Sequence, residues 1–398
     1  MAVAFRNLNL VWGLKRPHES FIKSDRSDKG ALFPNASIKL WVLCCSREEI
    51  FFGTHRRQVE IKKKSQSRLI FSKSTTHYSG NTNEGEKEED IAKMTLIWRA
   101  IKLPIYSVAL VPLTVGGAAA YLQTGMFSSR RYFVLLASSI LVITWLNLSN
   151  DVYDFDTGAD KNKKESVVNL VGSRTGTFVA AYSSLVLGII GLTWTSLGAG
   201  SVQAIFLLAC SITCGYIYQV HKLCPPFRLS YQGLGEPLCF SAFGPFTTTA
   251  FYLLLGSSSE VTSLPLTSTI LSVSLLVGFT TSLILFCSHF HQIEEDAAVG
   301  KISPLVRLGT ERGSHVVKAA IFTLYSLVFA FGLSRALPFT CILLCALTIP
   351  MGKLVFSFVE ENHKDKGKIF MAKYYCVRLH ALFGAALAGG LVAARMFS

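Results

Sequence analysis

Acidic and amide side chains collect at the end of one apolar stretch, between Asn147 and Asp160. Asn147, Asn150 and Asp154 recur every three or four residues, so a helix carries them on one face. Neighbouring acids on one face repel each other unless a positive charge lies between them. Mg²⁺ suits this position, because it binds one or two carboxylates, keeps several waters and bonds phosphate oxygens. The pattern indicates a metal site whose candidate ligands are Asn150, Asp151, Asp154 and Asp160.

A different interpretation is a solvated helix end whose acids pair with Lys161, Lys163 and Lys164. The metal interpretation is favoured because the polar series begins at Asn147, which is still inside the apolar stretch. Polar and ionisable groups at membrane depth are costly and are usually retained for function.

A second acidic group closes a later apolar stretch and contains Glu294, Glu295 and Asp296. Two acidic sites that face one cavity suit a diphosphate held by two or more Mg²⁺ ions. His289 and His291 precede these acids and suggest zinc as an alternative. Zinc needs three or four nitrogen or sulfur ligands, so histidines at the membrane interface are the simpler interpretation.

Several cations are expected on the same membrane face as both acidic groups. Any one of them is more simply explained as an anchor of membrane topology than as a ligand. As a set beside metal-binding acids they indicate a phosphate site, because Arg bridges phosphate oxygens and Lys supplies a point charge. They are Arg174, Lys222, Arg228, Lys301 and Arg307.

The elements that position these residues are expected to be membrane helices. Half of the 398 residues are apolar and only 16% are charged, which favours a membrane protein. Helices follow because lipid offers no hydrogen-bond partner to the backbone. The predicted fold is an all-α bundle of about nine transmembrane helices with a side-opening lipophilic cavity. The predicted spans are 104–122, 132–149, 176–195, 201–219, 236–256, 265–287, 315–333, 336–357 and 376–396.

Loop charges give an independent check on this topology. Nineteen Lys and Arg residues fall on the side where span one starts, and four fall on the other side. Such a bias orients the basic side toward the cytosol, stroma or matrix. With nine spans, both acidic groups emerge on that basic side.

The first part of the chain has a targeting composition. Residues 1–80 contain 15 Lys and Arg, 6 Asp and Glu, and ten serines. They predict a disordered, cleaved transit peptide, followed by an acidic linker over 81–94 and the membrane domain over 95–398. A basic arm that binds nucleic acid or lipid is the alternative. The remaining excess of basic residues follows the topology rule, so the net charge of +14 does not predict nucleic-acid binding.

An allylic diphosphate is a substrate that these parts suit. Mg²⁺ with Lys and Arg stabilises the departing diphosphate, and aromatic faces attract the allylic cation that remains. An electron-rich aromatic ring then captures the cation. The candidate catalytic residues are Asp151, Asp154 and Asp296, and the candidate substrate-binding residues are Asn147, Tyr153, His291 and Gln292.

At its two acidic groups the chain resembles the UbiA-type intramembrane prenyltransferase superfamily. That superfamily has an Asn-Asp-x-x-Asp motif after span two, as in Asn150 to Asp154, and a second acidic motif after span six. The resemblance covers about residues 95 to 398. Gly158 and Asp160 are similar to the naphthoate branch, as are the segments 231–236 and 300–309. The segment 289–292 is similar to the plastid and cyanobacterial members of that branch.

The resemblance implies a phytyl transfer from phytyl diphosphate to 1,4-dihydroxy-2-naphthoate, with loss of carboxylate, in phylloquinone biosynthesis. It implies that Asp151, Asp154, Glu294 and Asp296 serve the Mg²⁺ ions. Gln292 stands where many bacterial relatives have Asp, which leaves the ligand set of the second group open. The resemblance also favours a chloroplast membrane, inner envelope or thylakoid, with the active-site loops facing the stroma.

Three other functions remain as alternatives. Within the superfamily, a homogentisate or chlorophyll-type prenyltransferase uses other tails and acceptors. A membrane transporter would use intramembrane acids as a proton path, but transporters place such sites near the midplane in broken helices. An accessory protein with a degenerate site is disfavoured because Asp151, Asp154 and Asp296 are all present.

Overall fold

The computed structural model describes residues 103–158, 166–219, 229–257 and 264–397. Within those ranges the secondary structure is helical and contains no strand. In the part of the chain that the structure describes, eight helices are long and apolar enough to cross a membrane, and a bent pair adds a ninth crossing if it is one span. We number them in chain order as span 1 (Pro104–Thr124), span 2 (Ser129–Thr157), span 3 (Arg174–Ala199), span 4 (Val202–Gln219), span 5 (Gly235–Gly256), span 6 (Ser268–Ala298), span 7 (Pro304–Leu333), span 8 (Phe339–Ala346 and Ile349–Asn362, bent by 45°) and span 9 (Lys366–Phe397).

The prediction of an all-α bundle of about nine spans is confirmed, and the main differences are at span ends. Span 2 continues to Thr157 and span 6 to Ala298, so both acidic segments are helical extensions of their spans. Span 7 begins at Pro304 rather than at 315, and it contains a kink at Gly309, where φ is 76°. Hydropathy marks the apolar part of a helix, whereas these helices continue into polar sequence.

Several predictions lie outside the described residues. They are the transit peptide over 1–80, the linker over 81–94, and the candidate ligands Asp160, Lys222 and Arg228.

Spans 1, 5, 6 and 9 form the centre of the bundle. Between 56% and 72% of their most apolar windows is buried, against 22% to 33% for spans 2, 3, 4 and 7. The outer spans expose large apolar side chains such as Trp194, Phe206 and Phe322. Apolar surface of this extent is expected to face lipid rather than water.

Spans 5 and 6 approach each other closely at two glycines. A Cβ added to Gly278 would lie 2.6 Å from the Phe240 carbonyl oxygen, and one added to Gly244 would lie 2.8 Å from the Gly278 Cα. Span 5 is a π-helix over Ala242–Thr248, a segment that contains Pro245. Proline removes a backbone donor and distorts the helix around it. This contact holds the start of span 5 beside the end of span 6.

We expect Gly278→Ala to lower the stability of the folded protein by roughly 1–3 kcal/mol, because the added methyl group meets backbone atoms that cannot move aside. Thermal unfolding of the purified protein in detergent measures the effect. The matched control is Gly198→Ala in span 3, where an added Cβ meets no atom within 4 Å. Equal melting temperatures for the two variants would contradict the close packing of spans 5 and 6.

Candidate active site at two acidic helix ends

The last turns of span 2 hold the first acidic group. Asp151 is fully buried, and its Oδ2 accepts a hydrogen bond of 3.1 Å from the Val167 N–H. Asp154 is half-buried, and its Oδ2 accepts a hydrogen bond of 2.8 Å from Asn150 Nδ2. One turn earlier, Asn147 Nδ2 is buried and has no hydrogen-bond partner among the described residues. Two of the three predicted first-group acids thus have a definite donor, and Asp160 lies outside the described residues.

The second acidic group lies at the end of span 6 and divides into an inner and an outer part. Asp296 is buried, and Lys301 Nζ lies 3.0 Å from its Oδ2. Glu294 is mostly exposed, and it shares Lys366 with Glu295, at 3.0 and 2.6 Å. Asp296 therefore pairs with Lys301, a residue predicted to bind the diphosphate, and the two exposed glutamates pair with Lys366 of span 9.

One phenol lies within the electrostatic reach of both groups. Tyr218, near the end of span 4, interacts with the carboxylates of Asp154 and Asp296. It also interacts with Glu236 at the start of span 5. Carboxylates from three spans, 2, 5 and 6, therefore lie within electrostatic range of Tyr218. Carboxylates brought together in this way favour a shared cation.

Glu236 and His289 form a pair whose place in the site was not predicted from the sequence. Glu236 Oε1 lies 3.2 Å from His289 Nδ1, and their side chains are 14% and 5% exposed. Glu236 Oε2 is buried and has no hydrogen-bond partner in the described part of the chain. The available signal was an ionisable residue at the first turn of an apolar span, a position that usually has a function.

Aromatic side chains lie next to the first acidic group. The hydroxyl groups of Tyr153 and Tyr182 share a hydrogen bond of 3.0 Å. The ring of Phe178 lies 4.6 Å from that of Tyr182, and the Arg174 guanidinium lies over Phe178 at 5.5 Å. This aromatic group provides π faces close to Asp154.

The remaining candidates have other partners. Arg174 binds the exposed Asp156 through two hydrogen bonds of 3.1 and 2.7 Å. His291 lies in the short 3₁₀ turn Phe290–Gln292, and its ring packs edge-on against Phe370 at 4.9 Å. Asp154 and Asp296 thus lie within electrostatic range of the same phenol, whereas Arg174, Glu294 and His291 contact Asp156, Lys366 and Phe370.

The oxygen donors of this region fit Mg²⁺ better than a metal that needs a full protein cage. No three His, Cys, Asp or Glu side chains within the described ranges are grouped so as to hold a metal ion by themselves. Mg²⁺ does not need such a group, since it takes one or two carboxylates and completes its shell with water and phosphate oxygens. Asp151 and Asp154 on span 2 and Asp296 on span 6 are donors of this kind.

Comparisons with known proteins identify the family to which this sequence is similar. The sequence profile of the UbiA prenyltransferase family matches residues 109–377. The chain is 66% identical over 352 residues to the chloroplastic 2-carboxy-1,4-naphthoquinone phytyltransferase of Arabidopsis thaliana, covering 88% of this chain and 90% of that protein. It is 42% identical over 292 residues to the 2-carboxy-1,4-naphthoquinone phytyltransferase of Synechocystis sp., covering 73% of this chain and 91% of that protein.

Solved structures share the fold at low sequence identity. The apo structure of a UbiA homolog from Aeropyrum pernix K1 has a TM-score of 0.55 at 15% identity, covering 72% of this chain and 97% of that one. A UbiA homolog from Archaeoglobus fulgidus has a TM-score of 0.52 at 14% identity, covering 75% of this chain and 98% of that one. The arrangement of the spans is therefore one that these homologs also adopt.

We expect the Lys301–Asp296 pair to show a coupling of roughly 2–4 kcal/mol in a double-mutant cycle of stability, because removing one partner leaves a buried charge uncompensated. The cycle compares Lys301→Met, Asp296→Asn and the double variant by chemical unfolding. The exposed pair Lys318 and Glu360, with nitrogen and oxygen 3.2 Å apart, is the control. Its coupling should stay below about 1 kcal/mol. Similar couplings for both pairs would contradict the buried character of Asp296.

Proposed function

The chain belongs to the UbiA prenyltransferase family and is a prenyltransferase, and we propose that it transfers a phytyl chain from phytyl diphosphate to 1,4-dihydroxy-2-naphthoate with loss of carboxylate. The reaction belongs to phylloquinone biosynthesis. The choice of donor and acceptor is supported by two relatives named as phytyltransferases of a carboxynaphthoquinone. The observation that supports the chemistry most directly is that Asp154, from the first acidic group, and Asp296, from the second, both lie within electrostatic range of the Tyr218 phenol.

The diphosphate is held between the two acidic groups. We assign Asn150, Asp151 and Asp154 on one side and Asp296 on the other as the residues that hold Mg²⁺. The metal supplies positive charge that stabilises the departing diphosphate. Lys301 is close enough to Asp296 to neutralise the same region.

The other predicted ligands of metal and diphosphate have supporting roles in this proposal. Asp160, Lys222 and Arg228 remain candidate ligands on sequence grounds. Arg174 pairs with Asp156, and Glu294 pairs with Lys366. Arg174 would have to leave Asp156 to bind the diphosphate, and Glu294 would have to leave Lys366 to bind the metal. Their contribution is therefore expected to be smaller than that of Asp154 and Asp296.

The allylic end of the donor lies in an apolar, aromatic environment. Tyr153, Tyr182 and Phe178 present π faces beside the first acidic group. Such faces stabilise a developing cation, and the exclusion of water prevents its capture as an alcohol. Asn147, His291 and Gln292 are the residues we assign to the surroundings of the two substrates.

The protein is proposed to act in a chloroplast membrane, either the inner envelope or the thylakoid, with its acidic loops facing the stroma. The chloroplastic relative and the basic composition of residues 1–80 support this location.

We expect a fluorescent reporter fused to residues 1–80 to be imported and shortened by isolated chloroplasts. A reporter that stays outside and uncut would contradict the transit peptide.

The activity is tested with the purified protein in lipid nanodiscs. We expect phytyl transfer to 1,4-dihydroxy-2-naphthoate that requires Mg²⁺ and stops when the metal is chelated. Homogentisate, offered in the same assay, should be a poor acceptor. A preference for homogentisate would overturn the acceptor, and unchanged turnover after chelation would overturn the metal.

The same assay tests the metal ligands. We expect Asp154→Ala and Asp151→Ala to lower turnover by at least about 1,000-fold, since each removes a group that stabilises the transition state through the metal. Glu360→Ala, at an exposed position on span 8, is the control and should retain turnover. Membrane insertion and melting temperature establish that each variant is folded. Near-normal turnover of a folded Asp154→Ala protein would refute the assignment.

A further inference from the structure

We propose that Glu236 and His289 form an acid–base dyad that takes a proton from the hydroxyl group of the aromatic acceptor and returns it after the transfer. This inference rests on the proposed function and deepens it. It assigns a role to two residues that belong to neither acidic motif. It also separates handling of the acceptor from handling of the diphosphate.

The dyad has a fixed geometry. Glu236 Oε1 and His289 Nδ1 are 3.2 Å apart, and a single hydrogen between them occupies one oxygen of the carboxyl group. The second oxygen, Oε2, is buried and has no hydrogen-bond partner in the described residues. A buried carboxyl oxygen without a partner costs free energy, which is recovered when a substrate hydroxyl group binds to it.

The backbone around the dyad is held in place by close packing. Ser282 Oγ donates a hydrogen bond of 3.0 Å to the Glu236 carbonyl oxygen. The Gly244 and Gly278 contact described above keeps spans 5 and 6 together, and the dyad residues come from these two spans. The dyad can therefore hold its orientation without a bound substrate.

The position of the dyad matches an acceptor-binding role. Glu236 interacts electrostatically with Tyr218, the same phenol that Asp154 and Asp296 reach. A ring that captures the allylic cation must lie next to the departing diphosphate, so its hydroxyl group lies within this region. The titratable groups that face Glu236 are Tyr218 on span 4, Cys239 one turn further along span 5, and His289 on span 6.

The proton transfer balances with the transfer reaction. The O–H bond of the acceptor breaks, its proton moves to Glu236 Oε2, and its electron pair moves into the ring. The ring forms a carbon–carbon bond to the allylic carbon, whose bond to the diphosphate oxygen breaks, and the diphosphate leaves with that electron pair. When carbon dioxide departs, its bonding pair returns to the ring and the oxygen retakes the proton. Glu236 therefore ends the cycle as it began.

The alternative is a purely structural role, in which the Glu236–His289 contact only connects spans 5 and 6. Glu236→Gln separates the two roles, because Gln keeps the size of Glu and can still form a hydrogen bond to the His289 imidazole but is not a base. A purely structural role predicts nearly normal turnover for this variant. A base predicts a large loss that external alkali relieves, since a phenolic hydroxyl ionises by itself near pH 10.

The experiment measures phytyl transfer by the full-length protein in nanodiscs, with phytyl diphosphate, Mg²⁺ and 1,4-dihydroxy-2-naphthoate, between pH 7 and pH 10. We expect Glu236→Gln to lower kcat at pH 7 by roughly 100-fold, with KM for phytyl diphosphate almost unchanged, and the deficit to shrink as the pH rises. His289→Gln should show a smaller loss of about 10-fold, because it removes only the orienting partner. Glu360→Gln should match the unsubstituted protein at every pH.

Two outcomes overturn the dyad. One is a folded Glu236→Gln protein with normal kcat, and the other is a deficit of constant size across the pH range. If Glu236→Gln does not fold, Glu236→Asp replaces it. That variant keeps a carboxylate and should lose about 10-fold in kcat with an unchanged pH profile, whereas a normal kcat would again overturn the dyad. Absence of phytyl transfer by the unsubstituted protein would overturn the proposed function instead, and the dyad's role with it.

Discussion

The structure depends on carboxylates that are brought together at the ends of membrane helices. Asp151 and Asp296 are almost completely buried, and Asp154 and Glu236 are close enough to influence the same phenol. Negative charges in such surroundings are costly unless each one has a donor or a cation. The local contacts meet this need in part, through the Val167 N–H for Asp151 and Lys301 for Asp296. In the proposed function, a divalent cation that binds together with the diphosphate would supply further positive charge.

The central packing of the bundle explains why the acids stay at this position. Helix association in lipid is not driven by hydrophobic burial, so it relies on close van der Waals contact between small residues. Gly244 and Gly278 provide such a contact between spans 5 and 6. The exact height at which these spans cross decides whether Glu236 reaches His289. Spans 3, 4 and 7 are less buried, and their exposed apolar faces allow contact with lipid.

Much of the fold followed from the sequence, because long apolar runs and the side preference of Lys and Arg are strong signals. Helix ends were less predictable. The spacing of Asn147, Asn150 and Asp154 indicated a helix as far as Asp154, but hydropathy does not recognise the polar sequence in which span 2 continues to Thr157. The partners of the candidate residues were not predictable either. The binding of Arg174 to Asp156, and of Lys366 to Glu294, depends on how separate helices face each other. Glu236 and His289 are 53 residues apart, and no local spacing relates them.

The two kinds of acid in this site differ in what they are free to do. An aspartate that holds Mg²⁺ has its lone pairs committed to the metal, so it is a poor proton acceptor. Glu236 has one oxygen beside the His289 imidazole and a second oxygen that has no hydrogen-bond partner among the described residues, so that second oxygen is available to a substrate. The division into metal ligands and a base that we propose therefore rests on the partners of the acids rather than on their residue type. Such a division would let one small region stabilise the departing diphosphate with positive charge and activate the acceptor with negative charge.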